Sequence, residues 1–159
     1  YYYFPSKDAL LFELTYEALV GHAHAVEEAV EAAPDGAAAL GAVVRETVGS
    51  FAPRLDDFRL AFLHGQLAAR GAVHFDAEQL ARIRPPNTLV LGGATEKLKA
   101  GDAAAMPVEP RLLSFLAYLS ALGMLTMKGM VENLDDPLIY SDEELVDGFA
   151  RVFAAAAHG

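Results

Sequence analysis

The stretch that decides the fold is PSKDALLFELTYEALVGHAHAVEEAVEAAPDG, residues 5–36. Ser6 follows Pro5 as a helix N-cap, its hydroxyl suited to the free N–H groups of the first turn, and Asp8 complements the positive end of the helix dipole. Leu10, Leu14, Ala18, Gly21, Ala25 and Ala29 recur at three- to four-residue spacing, as one face of a helix requires. Phe12, Tyr16, Leu19, Ala23, Val26 and Val30 draw a second stripe beside it. A helix with so wide an apolar arc packs against neighbours on more than one side. It stops at Ala33-Pro34-Asp35-Gly36, a strong breaker.

Working outward, helical periodicity continues nearly everywhere. A second helix is predicted from Asp35 to Ala52, ending at Pro53. A third runs from Arg54 to Arg70 and closes on Gly71, as a C-terminal glycine should. Asp76 caps a short helical stretch that Arg84-Pro85-Pro86 is expected to interrupt, and Asn87 to Ala100 resumes it. Thr88-Leu89-Val90-Leu91 would suit a strand, but a single short strand has no partner. Residues 101–107 read as a loop, and Pro110 opens a long helix to about Asn133. Asp135-Asp136-Pro137 makes a turn, and Ser141 with Glu144 forms a capping box before the last helix. The fold expected is an all-α bundle of about seven helical pieces joined by short turns.

The helix from Arg111 to Val131 carries apolar residues on every side of its wheel, which requires cover all round. Two arrangements meet that need: burial inside one chain, or self-association with the last helix in a two-fold contact. The rarity of large exposed apolar patches favours a homodimer. The interface residues are read as Leu116, Ala117, Ser120, Ala121, Met124 and Met127 on this helix, with Phe149, Val152 and Phe153 on the last one. Ala117 and Ala121 are expected to let another backbone approach closely.

The bulk numbers narrow the function. At 159 residues the chain is one domain, long enough to bury about 70% of its unfolded surface. It has no cysteine, so disulfides, thiolate metal sites and cysteine nucleophiles are out. A net charge of −10 repels phosphate, so these residues as a whole do not form a nucleic-acid face. No apolar run is read as reaching the roughly 18 uncharged residues of a membrane span, and no charged-then-apolar leader is read at the start. A cytoplasmic protein is the expectation.

Catalytic motifs are not found. His22 and His24 are two apart, so they point to different sides of a helix and cannot chelate one metal as an i, i+4 pair would. They are read as surface or singly hydrogen-bonded side chains. No G-x-S-x-G elbow, phosphate loop or H-E-x-x-H occurs, and Gly92-Gly93 lacks the preceding strand and third glycine of a dinucleotide site. Neither metal nor cofactor is expected. An enzyme built from His22, His64 or Tyr118 has no motif behind it.

A ligand pocket has more support. Phe58 to Gln66 mixes polar groups with aromatics around Gly65, Tyr118 places a hydroxyl in an apolar helix, and Met124, Met127 and Met130 supply deformable lining. The pocket residues are read as His22, Phe51, Phe58, Phe62, Gln66, Leu91, Tyr118 and Leu122, for a small hydrophobic effector. Ordinary core packing explains each of them singly.

The segment Tyr1-Tyr2-Tyr3-Phe4-Pro5-Ser6-Lys7-Asp8-Ala9-Leu10-Leu11 resembles the junction of TetR-family (TetR/AcrR) transcriptional regulators. There a helix-turn-helix ends in Y-Y-H-F, and a P-S-K-E-x-L stretch starts a long connecting helix. Tyr3 departs from the family's usual histidine. The order of a long helix first and two apolar helices last is also similar, as is the D-D-P and D-E-E-L pattern before the final helix. The resemblance implies that residues 1–5 are a remnant of the DNA-binding part and residues 6–159 the ligand-binding and dimerisation domain. It implies that Tyr1, Tyr2, Tyr3 and Lys7 contact DNA, with operator binding completed by residues upstream. The implied function is a ligand-responsive repressor that releases DNA when its effector binds. A stand-alone helical dimerisation or interaction module without a ligand is the alternative.

Overall fold

The computed structural model describes residues 4–134 and 140–159, with the side chains of His64, Ala68 and residues 131–134 left undescribed. Tyr1, Tyr2, Tyr3 and the Asp135-Asp136-Pro137 turn therefore lie outside the described residues. Among those described there are six α-helices and no strand: α1 (Lys7–Ala32), α2 (Gly36–Phe51), α3 (Leu55–Ala69), α4 (Ala77–Lys99), α5 (Pro110–Leu134) and α6 (Asp142–His158). A 3-10 turn, Ala52–Arg54, carries Pro53 between α2 and α3. The chain is an all-α bundle.

Helix starts follow local chemistry. Ser6 Oγ accepts from the Ala9 N–H at 3.0 Å, and Asp35 Oδ1 accepts from the Ala38 N–H at 2.8 Å. Asp76 with Gln79, and Ser141 with Glu144, form complete capping boxes. The serine N–H and hydroxyl hold the Glu144 carboxyl below its ordinary range. After α3, Gly71 takes φ 72°, the left-handed conformation glycine adopts without a Cβ clash. The end of α1 has no basic residue of its own. Lys97 of α4 supplies one, donating to the Glu31 carbonyl at 2.8 Å and to the Ala33 carbonyl.

α2 occupies the centre, packed against α1, α4, α5 and α6. Ala39, Leu40, Val43, Val44, Thr47, Val48 and Phe51 are buried along it. Its small residues make this possible. A Cβ on Gly36 would lie 2.9 Å from the Leu98 Cα, so only glycine lets α2 start this close to α4. On α1 the buried residues are Phe12, Thr15, His22, Ala23, Val26 and Val30, most of the second stripe, while Leu10, Leu14 and Gly21 of the first are exposed.

The double proline does not break α4, contrary to the expectation. Pro85 and Pro86 lie inside a continuous helix, Pro86 buried. Each proline removes one backbone donor. The long packing of α4 along α1 offsets that loss and keeps Arg84 helical despite the proline that follows it.

α5 is not covered all round. Leu113, Ser114, Ala117, Ala121, Met124 and Leu125 face inward, whereas Leu112, Phe115, Leu116, Leu119, Met127 and Met130 form an outward stripe. By length and composition α5 is apolar enough to cross a membrane, which corrects the sequence reading. Its inward side packs on α2 and α4, as a bundle helix does. The last helix packs chiefly on α2 rather than on α5. Arg45 reaches Asp147 at 3.7 Å between α2 and α6, and Lys128 reaches Asp142 at 3.2 Å between α5 and α6.

Candidate ligand site

Four helices converge on His22, in the middle of α1. Phe51 comes from the end of α2, Phe58 and Phe62 from successive turns of α3, and Tyr118 from α5. The His22 ring lies 4.8 Å from the Phe51 ring and 6.0 Å from that of Tyr118, nearly parallel to the latter at 17°. Phe51 continues to Phe58 at 5.7 Å and to Phe62 at 6.1 Å, and those two are 4.8 Å apart. These separations are those of favourable aromatic pairs.

His22 is 3% exposed, and neither ring nitrogen has a hydrogen-bond partner among the described residues. Thr47, fully buried on α2, likewise has no partner for its hydroxyl. It stands one turn before Phe51, on the same face of α2. A buried polar group left unsatisfied costs about 1–3 kcal/mol, so an imidazole with both nitrogens in that state is unusual. Burial pushes His22 down to about 4, so its imidazole is neutral at pH 7, one nitrogen a donor and the other an acceptor. Burial also pushes the Tyr118 phenol up to about 12.

The structure thus brings together five of the eight residues read as a pocket: His22, Phe51, Phe58, Phe62 and Tyr118. Leu91 and Leu122 are half-buried against the same core. Gln66 lies on the exposed side of α3. The expectation of a surface or singly bonded histidine holds for His24, which is exposed and 3.3 Å from Glu27, but not for His22. Thr47 was not singled out from sequence. Its only signal is its place one turn before Phe51 in a run that is otherwise mostly small and apolar.

A second region lies at the start of α1. A 740 Å³ open cleft is lined by Phe4, Pro5, Leu10, Glu13, Leu14 and Arg82, among others. Here the arginine and one of the glutamates are paired. Arg82 of α4 forms a two-pronged ion pair with Glu13 at 2.5 and 2.8 Å, and its guanidinium sits 4.2 Å from the Tyr16 ring centre and 5.1 Å from that of Phe12. The Arg82 hydrogen bond holds the Glu13 carboxyl below its ordinary range. Lys7, read as a DNA contact, is exposed at the first position of α1 nearby.

The surface read as an interface divides. Leu116 and Met127 are exposed, and Val152 is 62% exposed. Ala117 and Ala121 face inward with no exposed surface, so they offer nothing to a second chain. Their small side chains serve the packing of α5 on its own bundle. Phe149 and Phe153 spend much of their area on the same core. Between α5 and α6 a 390 Å³ groove, almost wholly apolar, is lined by Ser120, Gly123, Met124, Met127, Leu145 and Phe149. Among the described residues no group of three acidic, histidine or cysteine side chains is placed to hold a metal ion.

No family model matches this chain, and no curated protein matches it. A solved structure described as a protein with unknown function from Rhodococcus sp. RHA1 is similar, with a TM-score of 0.70 and 17% identity over 96% of this chain and 75% of that one. At that identity the likeness establishes a shared helical fold and nothing about function.

Proposed function

We propose that this chain is the ligand-responsive, self-associating part of a cytoplasmic transcriptional regulator of the TetR kind, a repressor that releases DNA when a small hydrophobic effector binds. One observation carries the reading. The helix α1 is continuous from Lys7 to Ala32, with the regulator-like junction at its start and His22 in its middle. An effector that reorders the rings around His22 acts on the same rigid rod that would hold a DNA-reading head. Such a shift requires the effector to bind one arrangement of α1 better than the other. The test is a mobility-shift assay using the full protein and DNA flanking its own gene, with and without small aromatic compounds. Release on adding a compound is expected. A protein that never binds the DNA sinks the proposal.

A stand-alone dimerisation module is the second reading, favoured by the outward stripe of α5 and by exposed Val152 on α6. Both readings require a homodimer through this surface. Sedimentation of the wild type is expected to give a dimer and of Leu119→Glu a monomer; a monomeric wild type removes the dimer from both.

A further inference from the structure

We propose that His22 and Thr47 are the polar anchors of a site for a small, uncharged, single-ring aromatic ligand bearing both a hydrogen-bond donor and an acceptor, such as a phenol or a primary aromatic amide. The inference deepens the proposed function and rests on its reading of the His22 cluster as the effector site.

Three features define the ligand. The first is polarity. The two His22 nitrogens and the Thr47 hydroxyl are buried, and no described protein group satisfies them. A neutral imidazole presents one donor and one acceptor, and a hydroxyl presents both, so the complementary molecule must also offer both. The second is charge. The buried polar residues described are Thr15, His22, Thr47, Thr95 and Ser114, none of which bears a permanent charge. An ionised ligand would lose its hydration here without a counter-charge, so a carboxylate or an ammonium is excluded. The third is shape. His22 and Tyr118 are nearly parallel, and Phe51, Phe58 and Phe62 continue the aromatic wall, which suits a flat ring.

The route in follows from the packing. Centroid separations of 4.8–6.1 Å leave the rings in mutual contact, so a ligand must displace one wall. Phe58 and Phe62 belong to α3, which packs mainly on α1 and only lightly on α2 and α5. Its outer side carries exposed Leu63 and Gln66. A modest outward movement of α3 opens the cluster without disturbing the packing of α2. Only a small ligand fits such an opening.

The test compares benzamide and phenol with toluene and benzoate, by thermal unfolding and by nitrogen-15 NMR of the histidine rings. At about tenfold excess over its Kd, benzamide or phenol is expected to raise the Tm by about 3–6 °C and to move the His22 ring resonances. His22→Phe and Thr47→Val should each weaken binding at least about fivefold, as loss of one hydrogen bond to a buried partner does. If His22→Phe fails to fold, the wild-type ring resonances and Thr47→Val decide. An equal shift with toluene or benzoate overturns the proposal while leaving a different effector open to the regulator. So does a His22 ring that shows a long-lived water contact unchanged by saturating benzamide. Benzamide bound at His22 without any release of DNA supports this site and sinks the regulator.

Discussion

Two clusters on α1 make opposite use of polar groups. Near its start, Glu13, Arg82, Tyr16 and Phe12 form a partly exposed assembly in which the charges meet each other and the cation lies over rings. Midway along, His22 lies against the Phe51 and Tyr118 rings, and neither its nitrogens nor the buried Thr47 hydroxyl has a partner among the described residues. The 740 Å³ cleft lies beside the first cluster and the unmet hydrogen-bonding capacity in the second. Volume and unmet polarity therefore point to different ends of the helix. A ligand gains most where the protein has already desolvated a donor and an acceptor.

The contrast can be broken from either side. The largest effect is expected at Phe51, whose ring joins His22 to both phenylalanines of α3. Phe51→Ala should cost about 3–5 kcal/mol in urea unfolding, and a loss below about 1 kcal/mol would mean that the cluster is loosely packed.

Acid is the next lever. The His22 ring titrates at about 4 in the folded chain against 6.5 for an unperturbed histidine, so the unfolded chain takes up its proton first as pH falls. The stability it contributes is complete above pH 6.5 and lost as pH falls to about 4, up to about 3 kcal/mol. Urea titrations at several pH values should show this loss in the wild type and not in His22→Phe; parallel curves would place His22 in a wetter setting.

Thr47→Val sharpens the comparison by its sign. Removing a hydroxyl that has no partner among the described residues should stabilise the ligand-free chain by about 1 kcal/mol. In the first cluster the equivalent removal, Arg82→Ala, should instead destabilise by about 1 kcal/mol or less, because a pair this exposed is screened by solvent. That loss should shrink in high salt, whereas the Thr47→Val gain should not. Two losses, or two gains, would erase the distinction between the clusters.

Much of this was legible in the residues. Ser6, Asp76 and Ser141 announce helix starts because capping is a contact within one turn, and Gly71 announces an end for the same reason. The aromatics of the candidate site could be picked out by type and context. Pro85 and Pro86 misled, because their local cost is visible in sequence while the compensating contact with α1 is not. Ala117 and Ala121 misled similarly: a small side chain permits close approach without saying from which side. Thr47 passed unnoticed because a buried threonine and an exposed one look alike until its neighbours are known.

By itself, then, the sequence determined most of the helices, several of their caps and the all-α class, since these depend on periodicity and on interactions within a turn or two; it split α4 in two at Pro85-Pro86. It also supplied an excess of apolar residues on α5 that one bundle does not absorb. Only the tertiary structure decided which helix lies at the centre, which face of α5 turns inward, and that His22 and Thr47 are buried with no partner among the described residues. Those outcomes depend on contacts between residues far apart in the chain, where burial sets both the charge of an imidazole and the cost of an unmet hydrogen bond.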